Sequence, residues 1–318
     1  MIISANLSIH NRGKLFKRAL LGYLWQTLPR KDWEIVLVDD MSTEDLSQTY
    51  KDLIGEINLR HVHFDHKKHA MFREMNPKWE PGQPENWYHT PALSLNLGAH
   101  LSRGEFLAVC HPEILHAPDN FEKAAVTLTN NPKQFLFGAT WLGSYRNNLL
   151  LEQIPDWREM GWDHFIAAQN RPYHLHCFNQ NELYWYTSFL PRQAFVATRG
   201  VEFDWMRGVA GEDDCFRDCV KMAGYMPVYR DDIQGFHQDH SDEKEAHRDR
   251  SGERWKLALE RNRTKYYEMR EGRIPYPFPA NPDYDWTARE CIVKIIDYKV
   301  GSKEAITSYP IACEEATL

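Results

Sequence analysis

Trp33-Glu34-Ile35-Val36-Leu37-Val38 is a β-rich run that ends abruptly at Asp39-Asp40-Met41-Ser42-Thr43. A strand with apolar residues on both faces is covered on both, as in parallel sheets flanked by crossover helices. The neighbouring segments fit that plan. Ile2–Asn6 is a short apolar run. Asn11-Arg12-Gly13 breaks it, and Leu15, Phe16, Ala19, Leu20, Tyr23 and Leu24 then recur at helical spacing. Ser42 or Thr43 can cap a helix running through Tyr50 to Leu53. Leu59–Phe64 alternates as a further strand. Strands alternating with helices predict an α/β chain with a doubly wound, mostly parallel sheet. In such a sheet ligands sit at the carboxyl ends of the strands.

Farther along, the pattern predicts a helix over 91–101, a buried strand over 104–109, a helix over 119–130 and a strand over 134–139. A helix over 212–223 and a short strand near 226–229 follow. The stretches 66–90 and 143–190 read as irregular and aromatic, the first as a lid or binding loop. Trp79, Trp87, Trp141, Trp162, Tyr184 and Trp185 could stack on sugar faces, with core packing the safer reading for any one of them. Residues 243–273 are charged and helical in character. The tail from Ile274, with Pro275, Pro277, Pro279 and Pro282, reads as an extended arm.

Composition sets bounds. At 318 residues the chain allows one large domain or two ordinary ones. Hydrophobic and charged fractions of 42% and 26% are those of a globular protein rather than a disordered or coiled-coil one. No run approaches a membrane span. No secretory signal opens the chain, which places a full-length protein in the cytoplasm. The six scattered cysteines form no Cys-x-x-Cys pair and read as reduced thiols. A net charge of −7 disfavours a nucleic-acid partner, although His66-Lys67-Lys68-His69 could touch a nucleic-acid or phosphorylated acceptor.

Three polar clusters fall where strands should end: Asp39-Asp40, His111-Pro112-Glu113, and Glu212-Asp213-Asp214 followed by His237 and His240. Each alone is weak, since acidic residues at helix starts simply complement the helix dipole. As an ordered set they resemble the GT-A glycosyltransferases, especially glycosyltransferase family 2. The similarity runs through Ile9-His10-Asn11-Arg12, Leu24-Trp25-Gln26-Thr27, Val38-Asp39-Asp40-Met41-Ser42-Thr43, Asn96-Leu97-Gly98, Arg103-Gly104-Glu105, His111-Pro112-Glu113 and Gly211-Glu212-Asp213-Asp214. The last of these is also similar to the Gly-Glu-Asp-Asp stretch of β-galactosyltransferase relatives. Two departures stand out. Met41 replaces the glycine of the Asp-Asp-Gly-Ser-Thr turn, predicting a tighter or more strained turn. His111-Pro112-Glu113 replaces Asp-x-Asp, keeping one carboxylate and gaining an imidazole.

The resemblance implies a GT-A (Rossmann-like) domain over 1–242, with a nucleotide-binding half (1–115) and an acceptor/catalytic half (116–242). A helical and Pro-rich extension, 243–318, would follow. It implies an inverting transferase that moves a sugar from a nucleotide-diphosphate donor, first a UDP-sugar, to an acceptor hydroxyl. Asp213 would be the general base, and Glu212 would bind acceptor or donor sugar. Asp39 and Asp40 would meet the base and ribose, Asn11 and Arg12 would shape that pocket, and Asn96 and His111 would join the donor set. Glu113 with His237 or His240 would hold a divalent ion, and one carboxylate with imidazole suits Mn2+ better than Mg2+. A second class stays open: a catalytically silent relative that binds a glycan or nucleotide sugar. A nucleotidyltransferase would need a better phosphate loop than Ser8-Ile9-His10-Asn11-Arg12-Gly13-Lys14.

Overall fold

The structure, a computed structural model, describes residues 1–69, 91–154, 156–169, 175–177, 183–208, 210–240, 253–280 and 285–309. Its strands are β1 (Ile3–Ile9), β2 (Trp33–Asp40), β3 (Leu59–Phe64), β4 (Phe106–Cys110), β5 (Ile114–His116), β6 (Gln134–Leu142), β7 (Leu175–Cys177), β8 (Thr187–Pro191), β9 (Met226–His237), β10 (Ile292–Tyr298) and β11 (Ile306–Ser308). They form one sheet in the order β11-β10-β3-β2-β1-β4-β8-β6-β9-β5, with β7 on β6.

The four central strands, β3-β2-β1-β4, are parallel, as the apolar runs predict. The flanks are not: β10 joins β3 antiparallel, and β8 joins both β4 and β6 antiparallel. Strand alternation divides the side chains between two cores. Val36, Val38, Val62, Phe64, Leu107 and Val109 face the core under the helix Ala92–Leu101. Ile35, Leu37, Ala5, Leu7 and Ala108 face the opposite core, with the helices Gly13–Leu24 and Asn120–Asn130. Every residue of β2 is buried, which is why its sequence shows so little alternation. Gly98 lets the helix Ala92–Leu101 lie close on β1: a Cβ there would come within 1.8 Å of Asn6 Oδ1.

The chain runs from β1 to β2 and β3 on one side, then returns to place β4 on the other side of β1. The carboxyl ends of β1 and β4 therefore flank the reversal of strand order, where open α/β sheets bind ligands.

Several segments differ from expectation. The described residues of the stretch 143–190 hold more regular structure than its composition suggests. Tyr145–Gln153 is a helix capped reciprocally by Ser144 and Asn147, and Trp162–Ala168 is another. Trp157, Trp162 and Phe165 form a satellite core there, and Trp185 is buried in the main core, so Trp162 and Trp185 serve packing. Trp79 and Trp87 lie outside the described residues. The short strand expected at 226–229 continues to His237. The expected helix after Ser42 shrinks to Ser47–Tyr50 and a 3-10 turn, Lys51–Leu53. The tail carries, besides its prolines, the two strands that complete the β3 edge. Among the described residues, Cys110, Cys215, Cys219 and Cys291 are free buried thiols, and no helix is long and apolar enough to cross a membrane.

Candidate active site

The centre of the site is a buried carboxylate. Glu113 leaves the tight turn after β4 and is 0% exposed. Its Oε1 lies 3.2 Å from His237 Nε2, 3.5 Å from His111 Nδ1 and 3.6 Å from His240 Nε2. Arg12 Nη1 donates to the same oxygen at 3.0 Å. Burial opposes ionisation of Glu113. The Arg12 charge and hydrogen bonds from His111 and His237 outweigh it and hold the carboxyl well below its usual range. His240 is pushed down to about 3, by burial first and then by Arg12, so its ring is neutral near pH 7.

Strand pairing explains this meeting. β5 runs antiparallel to β9 with Ile114 opposite His237, and β6 sets Leu142 opposite the same histidine. Gln238, fully buried, donates from Nε2 to Glu113 O at 2.9 Å and Leu15 O at 3.0 Å, tying β9, the Glu113 turn and the first helix together. Nothing in the sequence singled out Gln238, because its role depends on a contact across the whole domain.

The loops after β1 and β2 interlock. Asn11 N donates to Ser42 Oγ at 2.7 Å, and Asn11 Oδ1 accepts from Thr43 N at 2.8 Å. Gly13 N donates to Glu44 Oε1 at 2.7 Å. Asn11, Arg12 and Met41 all take left-handed backbone, at φ 56°, 65° and 58°. Such strain costs on the order of 1–3 kcal/mol per residue and gathers where a ligand is held. Met41 thus adopts the conformation that the family's glycine would reach freely, in line with the strained turn expected there.

Asp39 is buried. Its Oδ1 accepts from Ser42 N at 3.0 Å, and its Oδ2 lies 3.2 Å from His61 Nε2 and 3.8 Å from His63 Nδ1. Burial works against its charge, but the hydrogen bonds from His61 and Ser42 prevail and lower its pKa. Burial, with His61 and Lys294 adding to it, pushes His63 down to about 4. Asp40 Oδ1 is 2.7 Å from His66 Nδ1. Neither His61 nor His63 was singled out as a site residue from sequence, and His66, expected as part of a basic patch for an acceptor, turns instead to Asp40. The alternation of β3 was visible, but its register against β2 was not.

Asn96 sits elsewhere. It is fully buried, its Nδ2 donates to Val201 O and its Oδ1 accepts from Val201 N, each at 2.8 Å. Both polar groups of this residue, expected in the donor set, bond the backbone of Val201, so it clamps that segment.

Glu212, Asp213 and Asp214 open the helix Glu212–Met222, after Gly211 at φ 89°. A side chain at Gly211 would meet left-handed strain. Burial raises the Asp213 pKa well above the carboxylate range, and the charges of Glu212 and Asp214 add to it. Asp214 pairs with Arg217 at 2.7 Å. Among the described residues no hydrogen bond or ion pair joins Asp213 to Glu113. The segment Leu183–Tyr186 links the two regions. Arg217 Nη1 donates to Leu183 O at 3.1 Å, Trp185 packs on Phe216, and Tyr186 lies 4.8 Å from the His111 ring and 5.3 Å from that of His237.

The residues around Glu113 suit a divalent metal. The donor atoms of His111, Glu113 and His237 lie within 4.8 Å of one another. Ligands about 2.1 Å from a tetrahedral ion stand about 3.4 Å apart, and the three imidazole distances to Oε1 bracket that spacing. Glu113 Oε2 is buried with no hydrogen-bond partner among the described residues, so the carboxylate keeps a lone pair to offer.

No family model and no curated protein matches the chain. Solved structures do. Residues 1–349 of S. aureus TarS, in complex with UDP-GlcNAc, are similar at a TM-score of 0.53 and 14% identity over 78% of this chain. This chain spans 61% of that TarS chain. The mannosyltransferase PcManGT from Pyrobaculum calidifontis, in complex with GDP-Man and Mn2+, is similar at 0.52 and 17% identity, over 90% of this chain and 72% of its own. The likeness is one of fold: the chain has the α/β arrangement of the GT-A glycosyltransferases.

Proposed function

We propose that this chain is a nucleotide-sugar glycosyltransferase that inverts configuration at the transferred sugar. One observation carries the reading above the others: at the carboxyl end of β4, beside the reversal of strand order, Glu113 Oε1 gathers three imidazoles and a guanidinium within 3.6 Å. That is a place for the diphosphate of a donor, and UDP-sugars are the first donors to test.

In the reaction, the bond between the anomeric carbon and the diphosphate oxygen breaks, and its electron pair leaves with the nucleotide. The acceptor oxygen forms the new bond from the opposite face, and its proton passes to the Asp213 carboxylate. The raised pKa makes Asp213 a stronger base than an ordinary aspartate once ionised. Glu212 orients the sugar. Asp39 and Asp40 meet the base and ribose, and the interlocked loops of Asn11 and Ser42 shape that pocket. His111, Glu113 and His237, with His240 beside them, would hold a Mn2+ ion. The ion would supply Lewis-acid stabilisation of the leaving diphosphate. Arg12 offers a second positive charge at the same place.

The Arg12–Glu113 pair also favours a second reading, because a carboxylate already neutralised by arginine can serve a sugar-binding module without turnover. Slow release of UDP in Mn2+ without acceptor separates the two, since a binding module releases none. The main test is thermal stability against a panel of nucleotide-diphosphate sugars, with and without Mn2+. One donor should raise the melting temperature, more so with Mn2+. Glu113→Gln should erase the Mn2+ increment. A panel with no stabilising donor refutes the function, and an unchanged Mn2+ response in the variant refutes the ligand.

A further inference from the structure

We propose that Asp39, His61 and His63 form a second divalent transition-metal site, with the same one-carboxylate, two-imidazole donor set as the Glu113 cluster, which Zn2+ or Co2+ would fill. Successive side chains of a strand alternate, so His61 and His63 share a face of β3. The parallel register of β2 and β3 sets Asp39 directly opposite His63. The three donor atoms lie within 4.8 Å of one another, and Asp39 Oδ2 stands 3.2 and 3.8 Å from the two imidazole nitrogens. Those distances bracket the separation of about 3.4 Å between ligands of a tetrahedral ion.

The surroundings orient the ligands as a metal requires. Tyr50 Oη is 2.7 Å from His61 Nδ1. His61 Nε2 itself hydrogen-bonds Asp39 Oδ2 at 3.2 Å; an ion taken up between them would replace that proton, and Nδ1 would then donate to Tyr50 Oη, the arrangement by which outer hydrogen bonds hold metal-binding histidines. Ser42 N holds the other oxygen of Asp39, leaving Oδ2 toward the histidines. The His61 and His63 rings stack at 4.2 Å with 29° between their planes. The His63 side chain is 30% exposed, which gives an ion entry and leaves a coordination position open to water. Two imidazoles and one carboxylate form a recognised zinc set. Asp39 also belongs to the donor pocket in the function proposed above, but metal binding at this trio does not depend on that reading.

The test uses the full chain carrying Glu113→Gln and His237→Ala, which disables the other cluster. Co2+ is titrated by its visible ligand-field absorption and Zn2+ by calorimetry, with circular dichroism confirming the fold. This protein should bind a single equivalent, with the intense absorption of a tetrahedral Co2+ site. Adding His63→Asn should abolish the absorption, and adding Tyr50→Phe instead should weaken binding by about 10- to 100-fold. Absence of binding in the double variant, or binding that neither further change weakens, overturns the proposal. Because that protein lacks the Glu113 cluster, the outcome is read without any sugar transfer.

Discussion

What surrounds a carboxyl shielded from water decides its charge, and Glu113, buried, and Asp213, half-buried, fall on opposite sides of that rule. Burial penalises both. Glu113 has Arg12 and three imidazoles against it and stays ionised, whereas Asp213 has Glu212 and Asp214 beside it and holds its proton longer. The stabilisation that Glu113 gains is present above the unfolded carboxyl pKa of about 4.3. It is lost only as the pH falls through the much lower folded value. As the base of the proposed reaction, Asp213 predicts a kinetic signature. A general base works ionised, so kcat should rise with pH along an acid limb set by its raised pKa. Asp214→Asn removes a negative neighbour, lowers that pKa and should move the limb to lower pH. Asp213→Asn should cost about 10²- to 10⁴-fold in transfer while UDP binding, followed by melting temperature, is kept. An acid limb that Asp214→Asn leaves in place would mean that another group titrates. Chemical identity at strand ends was legible in the sequence, so Asp39, Asp40, His111, Glu113, Asp213 and His237 could be named before any fold was known. The partners that set their charge, Arg12 on Glu113 and His61 on Asp39, could not, because pairing across strands depends on register.

At the scale of elements, clamps position the site. Asn96, on the helix Ala92–Leu101, holds both backbone groups of Val201. Asn96→Ala would orphan a buried N–H and a buried C=O, at about 1–3 kcal/mol for each group. Chemical denaturation should show that loss while the donor-induced rise in melting temperature persists, which a residue of the donor pocket would not allow. The helices and strands easiest to read were those with both faces or one clean stripe buried, such as β2 and the helix Gly13–Leu24. The far half of β9 was hidden because Arg230-Asp231-Asp232 interrupts it with charge. Those residues lie half-buried or exposed, so that part of the strand never needed an apolar pattern. β10 was masked in the same way by the prolines that precede it.

At the scale of the molecule, the tail belongs to the central sheet. β10 covers the edge of β3, and Asp297 accepts from Arg60 Nε at 2.9 Å. The helix Glu253–Arg270 reaches back to the segment before Gly211. Lys265 bonds Glu202 and Asp204 at 2.6 Å, and Asn262 Nδ2 donates to Trp205 O and Ala210 O at 3.0 Å. Deleting residues 285–318 would therefore bare a hydrogen-bonding edge beside the His61–His63 strand. Such edges recruit other chains. The truncated protein should melt at lower temperature and elute as larger species in size-exclusion chromatography, and a monomer of unchanged melting temperature would show that the tail is dispensable.

The clasp between Gln238 and the Glu113 turn joins positions 125 residues apart. Closing so long a span is slow compared with forming local helices. His237 and Gln238 thus reach Glu113 only through a contact of high sequence separation, so the imidazole cluster cannot arise from any local stretch of the chain alone.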